Sequence, residues 1–158
     1  MIEIRPFQPE DWGVLLELAN QAVAFAPGDN IEWLAYRRAF DEHQRTRRHC
    51  LATRDGAPVG YGCLEQQDND PKSLRIYVVC SPENLSGEAG SRLFEKLMRE
   101  ARELEAARLW AREYQADAAI GEFFTRHGFA ASEHIAPPGR LPMVVYTLGL
   151  AQPTGSTG

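Results

Sequence analysis

The chain has 158 residues, 44% of them hydrophobic and 25% charged. That is the make-up of one globular domain whose core is large enough to need neither disulfides nor a structural metal. A formal charge of −5 excludes the basic footprint of a protein that binds a nucleic-acid backbone.

The opening "IEIRPF" alternates apolar and polar positions as a half-buried strand does, and Pro9-Glu10-Asp11 supplies a helix start with Asp11 as N-cap. The start "MIEIRPFQPED" lacks the basic residues and apolar stretch of a signal peptide. No apolar run approaches the roughly 18 residues that a membrane-spanning helix needs, so a cytoplasmic protein is expected. Val14, Leu15, Leu18 and Val23 form the apolar stripe of the first helix, which Pro27-Gly28-Asp29-Asn30 breaks. A second helix is predicted over 31–44, with Trp33, Leu34 and Phe40 inward. The basic cluster "RTRRH", Arg45 to His49, reads as a solvated helix end or loop, with a contact to an acidic substrate or a phosphate as the alternative.

Two strands, "HCLATR" and "APVGYGCLEQ", flank Asp55-Gly56, a dipeptide that favours a tight hairpin. A polar loop over 66–72, containing Pro71, leads to the strand Leu74 to Cys80. Cys50, Cys63 and Cys80 are odd in number and lie inside apolar runs, so they read as small buried hydrophobes in a reducing compartment. The four histidines show no metal-ligand spacing, and no metal is expected.

After the strand comes "SPENLSGEAGSRLFEKL", Ser81 to Leu97. A strand passing through a Gly/Ser-rich turn into an amphipathic helix is a standard anion cradle, because main-chain N–H groups at a helix N-terminus point at the ligand. The helix carries Leu93, Leu97, Ala101 and Leu104 at helical intervals, and "RLWAREY" is a further strand. Asp117 caps a shorter helix containing Ile120, Phe123 and Phe124, Gly128 closes it in the left-handed conformation, and Phe129 begins the next strand. The loop "APPGRLP" leads to the last strand, "MVVYTLGL", and a tail over 151–158 is expected to be disordered.

This order, with three local signatures, resembles the GCN5-related N-acetyltransferase (GNAT) superfamily from about Ile2 to Leu150. The signatures are "DGAPVGYG", the second-to-third-strand hairpin; "VVCSPENLSGEAGSRLFEKLMREA", similar to V-x-P followed by R/Q-x-x-G-x-G/A; and "DAAIGEFFTRHGF", similar to N-x-x-A-x-x-F-Y-x-x-x-G-F. The resemblance implies a single domain over 1–150 of α/β (α+β) class, with a mixed, mostly antiparallel central sheet and flanking helices. Its parallel strands, Leu74 to Cys80 and Leu109 to Tyr114, should splay into a V at their C-terminal ends. It further implies an acetyl-CoA-dependent N-acetyltransferase acting on a small amine or amino-acid-like acceptor, without nucleic-acid or membrane partners and with homodimerisation left open.

Carried onto this chain, the coenzyme contacts fall on Val78, Val79, Cys80, Leu85, Ser86, Gly87, Glu88, Ala89, Gly90, Ser91, Asp117 and Phe124. The acceptor cleft, lined in this fold by the first two helices and the loop before the last strand, draws on Phe25, Trp33 and Arg140. Departures from the pattern are Leu85 for Arg or Gln, Glu88 for the first Gly, Arg112 for a basic Glu, and Phe124 for the Tyr that reprotonates the thiolate. Tyr77, Tyr114 and Glu113 are then the candidate proton-transfer groups, although Glu113 neighbours Arg112 and so faces the other side of its strand. These departures keep a second reading in play, a catalytically inactive domain of the same fold that binds a ligand or a partner. A dinucleotide-binding domain is disfavoured, since G-x-G-x-x-G is absent.

Overall fold

The structure is a computed structural model that describes residues 1–21, 47–67 and 69–150. The predicted helix over 31–44, Phe25, Trp33 and the tail lie outside the described residues. Strand β1 (Ile2–Pro6) leads through a 3-10 turn (Pro9–Asp11) into α1 (Trp12–Gln21), and β2 (Arg47–Arg54), β3 (Ala57–Gln67) and β4 (Asp70–Cys80) follow. Then come α2 (Pro82–Ser86), α3 (Glu88–Glu103), β5 (Arg108–Tyr114), α4 (Ala118–Arg126), β6 (Ala130–Ile135) and β7 (Met143–Gly149). Among the described residues the strands form one sheet in the order β1-β2-β3-β4-β5-β7-β6.

The β2–β3 hairpin turns on Asp55 and Gly56 with φ of 51° and 86°, both left-handed, as the dipeptide predicts. Strand β2 begins at Arg47, so the second half of the basic cluster is strand rather than loop. The loop expected over 66–72 is shorter than predicted, since Gln67 already pairs with Asp70. Pro71 is tolerated because β5 pairs with β4 only from Ser73 onward, leaving that edge with no donor to supply. Asp11 does not cap α1. Its carboxylate instead accepts two bonds from Arg5, at 2.9 and 3.0 Å, and one from the Gln8 amide at 2.8 Å, bracing the turn before the helix. The last strand pair starts at Ala130, one residue later than predicted, after Gly128 at φ 93°.

Strands β4 and β5 run parallel, as a crossover through a helix demands. They pair over Ser73–Arg108, Leu74–Leu109 and Arg75–Trp110 and nowhere beyond, while β5 stays paired along its whole length with β7. The sheet therefore opens after Arg75 into the expected V.

Helix α3 covers one face of β2–β4, burying Leu93, Leu97 and Ala101. It sits low because β3 offers glycine beneath it: a Cβ on Gly60 would lie 2.5 Å from Cys80 Sγ and one on Gly62 2.9 Å from Leu97 Cδ1. The opposite face packs Leu15 and Leu18 of α1 against Leu51, Tyr61, Cys63 and Val79. All three cysteines are buried and free, and burial pushes the Cys50 and Cys80 thiols up to about 12, which leaves them unreactive. No helix among the described residues is long and apolar enough to cross a membrane.

Candidate functional site

The turn at the mouth of the V folds more tightly than an open Gly-rich loop. Ser81 caps it, its Oγ accepting from the Asn84 amide at 3.4 Å and from Asn84 Nδ2 at 3.0 Å, and Pro82 fits the first helical position. The result is the five-residue helix α2, after which Gly87 restarts the chain as α3. Gly87 provides no side-chain cap, and the first α3 bond runs from Ser91 N to the Gly87 carbonyl. The amides of Glu88, Ala89 and Gly90 thus have no main-chain acceptor among the described residues, and they stand at the positive end of a 16-residue helix dipole. Gly90 is required for close approach, since a Cβ there would fall 2.3 Å from the Leu85 carbonyl oxygen.

Glu88 does not aim into this cradle. Its carboxylate is exposed and pairs with Arg92 one turn along the helix at 3.2 Å. Leu85, standing where the family carries Arg or Gln, turns its side chain into the core, and its carbonyl accepts from Arg126 Nη2 at 3.1 Å. That bond ties α4 to α2. Ser86 is exposed, with Oγ bonded to the Glu83 carbonyl, Ala89 is fully buried, and Ser91 is half-buried.

On β4, Val78 and Cys80 face α3 and Val79 faces α1, and all three are buried. Beyond Arg75 the β5-facing main-chain groups of this strand have no neighbouring strand to pair with among the described residues. Tyr77 lies on the α1 face, and its hydroxyl donates to Glu65 Oε2 at 3.3 Å. Glu113 lies on the other face: its partner across the sheet, Val144, belongs to the α3 side of the core. Tyr77 and Glu113 are therefore not brought together. Arg140 is exposed in the β6–β7 loop.

Asp117 is buried and caps α4, accepting from Ile120 N at 3.1 Å, and burial raises its pKa above the usual carboxylate value. Phe124 is fully buried, tilted against Phe129 and stacked on Tyr146. The side chain that the resemblance places among the coenzyme contacts thus exposes no surface: Phe123, Phe124 and Phe129 of "FFTRHGF" pack with Phe94 in one aromatic cluster. Sequence reasoning missed Glu65, Arg75 and Arg126. Glu65 and Arg75 become visible only through the β3–β4 register, and Arg126 through the helix–helix contact.

A model of the acetyltransferase (GNAT) family matches residues 12–129. Among solved structures, a GNAT-family protein from Desulfovibrio desulfuricans superposes with a TM-score of 0.80 at 18% identity, covering 96% of this chain and all of its own. The protein yncA of Salmonella typhimurium, solved with its cofactor acetyl-CoA, superposes at 0.76 with 19% identity over 97% of this chain and 96% of its own. The ribosomal-protein-S18-alanine N-acetyltransferase of Escherichia coli gives 0.73 at 16% identity over 97% and 96%. At these identities the likeness is one of fold. No curated protein matches the chain.

Proposed function

The chain belongs to the acetyltransferase (GNAT) family, and from that premise we propose that it is an acetyl-CoA-dependent N-acetyltransferase acting on a small amine or amino-acid-like acceptor. The observation that carries this reading is the coincidence of two features at one place: the opening between β4 and β5 after Arg75, and the amides of Glu88, Ala89 and Gly90 at its mouth, which have no main-chain acceptor among the described residues. A diphosphate fits these amides, which cost no side-chain ordering and carry the helix dipole. The unpaired edge of β4 beyond Arg75 suits an extended amide-bearing chain, which can add to it as a short strand does.

When bound, acetyl-CoA supplies the thioester whose acetyl group is transferred. This chain's residues have three tasks: to hold the two molecules in line, to remove a proton from the incoming ammonium, and to leave room for water to reprotonate the thiolate. Tyr77 is suited to the second. Its hydroxyl oxygen accepts the ammonium proton while its own proton passes along the 3.3 Å bond to Glu65. Both residues lie on the face covered by α1, the side from which an acceptor approaches in this fold. Glu113, on the opposite face, has no part in this step. Phe124, at the position the resemblance gives to the family's thiolate acid, is enclosed and has no proton to donate, so the role is assigned to water.

The inactive-domain reading draws on that same Phe124 and on the core position of Leu85. Calorimetric titration with acetyl-CoA, followed by thiol release against a panel of amines, separates the two. Micromolar binding with turnover is expected, whereas absence of heat at millimolar acetyl-CoA would remove the enzyme reading.

A further inference from the structure

On the α1 face of the V two arginines stand without a counter-charge among the described residues. Arg75 of β4 lies opposite Trp110 of β5 in the last rung before the strands part, its guanidinium 4.4 Å from the centroid of the Tyr77 ring and 5.1 Å from that of Trp110. Arg112 is two residues beyond Trp110 and so projects from the same face, about 7 Å further along β5, where that strand no longer pairs with β4. Both side chains are half-buried, and the Nε of each is enclosed with no hydrogen-bond partner. Neither guanidinium forms a hydrogen bond or ion pair with any described residue. The nearest acidic group in the register, Glu65 opposite Arg75, is bonded to the Tyr77 hydroxyl instead.

A half-buried guanidinium with an enclosed, unbonded Nε has lost hydration and gained nothing for it. Arg75 recovers part of that loss by stacking between two rings. Arg112 does not, and it occupies the β5 position where, by the resemblance, some members of the family place a basic Glu. We propose that Arg112 seats a carboxylate of the acceptor, with Arg75 adding positive potential behind it. The two N–H groups along one edge of a guanidinium match the two oxygens of a carboxylate. An amine carried next to that carboxylate then lies near Tyr77 and Glu65, which take its proton. The acceptor class is thereby narrowed from amines in general to amino acids or amino-acid-like compounds with a free carboxylate. This inference rests on the N-acetyltransferase reading for its catalytic consequence but not for the binding itself.

Two measurements test it. The first is thiol release from acetyl-CoA with each standard amino acid beside its α-carboxamide. The carboxylate member of the best pair should lead in kcat/KM by at least about tenfold, the scale of a charge-assisted hydrogen bond in a half-buried site. Arg112→Gln should erase that ratio through KM, and Arg112→Lys should restore part of it. Turnover without such a preference, or a preference that survives Arg112→Gln, overturns the inference while leaving the enzyme reading intact. The second needs no turnover. The Arg112 Nε–H resonance, assigned by its loss in Arg112→Gln, is followed while the N-acetyl derivative of each standard amino acid is added, with the matching N-acetyl amides as controls. A saturable shift with a carboxylate and none with its amide is expected even if acetyl-CoA fails to bind. No shift at tens of millimolar of any N-acetyl amino acid overturns the carboxylate seat.

Discussion

Phe124 and Tyr146 stack with ring centroids 5.7 Å apart and planes inclined by 29°, and Phe124 exposes none of its surface. The helix position to which the resemblance assigns the family's thiolate acid is here part of the core. Phe124→Tyr should therefore place a hydroxyl among aromatic rings with nothing to receive it, costing about 1–3 kcal/mol of stability. Thiol release should not increase. Urea unfolding of the two proteins measures the cost, and a faster enzyme of unchanged stability would show that the ring faces water.

The proposed anion cradle at the start of α3 should depend on backbone room more than on the charge of Glu88. Because Glu88 is exposed and already paired with Arg92, Glu88→Gln should alter acetyl-CoA affinity by no more than about threefold, as for other exposed pairs. Gly90→Ala should instead push the Leu85 carbonyl aside, since the new Cβ would lie 2.3 Å from that oxygen. A cost of about 1–3 kcal/mol in stability and a marked loss of affinity are expected. Calorimetry on both variants checks the contrast, and a large Glu88→Gln effect would return the carboxylate to the binding site.

Asp117 acts through its cap on α4. Asp117→Ala should cost about 1 kcal/mol, while Asp117→Asn keeps an oxygen for the Ile120 amide and should cost little. Burial raises the folded pKa above the unfolded value near 3.8, so the folded state binds more protons in that window. Stability should then fall as pH rises from about 4 through the folded value, and Asp117→Asn should abolish that component. Stability against pH for wild type and Asp117→Asn provides the test.

Asp11 should behave oppositely. The hydrogen bonds from Arg5 hold its pKa below 3.8, so its contribution is fully present above that value and is lost as pH falls through the lower folded value. Asp11→Asn should cost about 1 kcal/mol at pH 7 and little near pH 2. An equal cost at both pH values would mean that Asp11 serves through its size alone.

Local chemistry made much of this chain legible in sequence. Asp55-Gly56 demands a two-residue turn, Gly128 a left-handed residue, and Asp117 a cap, because each rests on a few neighbouring atoms. Periodicity likewise marked α3 and the core positions Leu93 and Leu97, and the crossover through α3 required parallel strands. What the sequence could not decide were the relations among distant elements. Which way Glu88 points depends on Arg92 and the bend at Gly87; whether Phe124 meets water depends on Phe129 and Tyr146 closing over it. That Arg112 has no partner among the described residues follows from the point at which β4 and β5 part, set by packing on both faces of the sheet. Side-chain parity along a strand is local and can be read from sequence, but the neighbours that satisfy or abandon a charge are chosen by the tertiary fold.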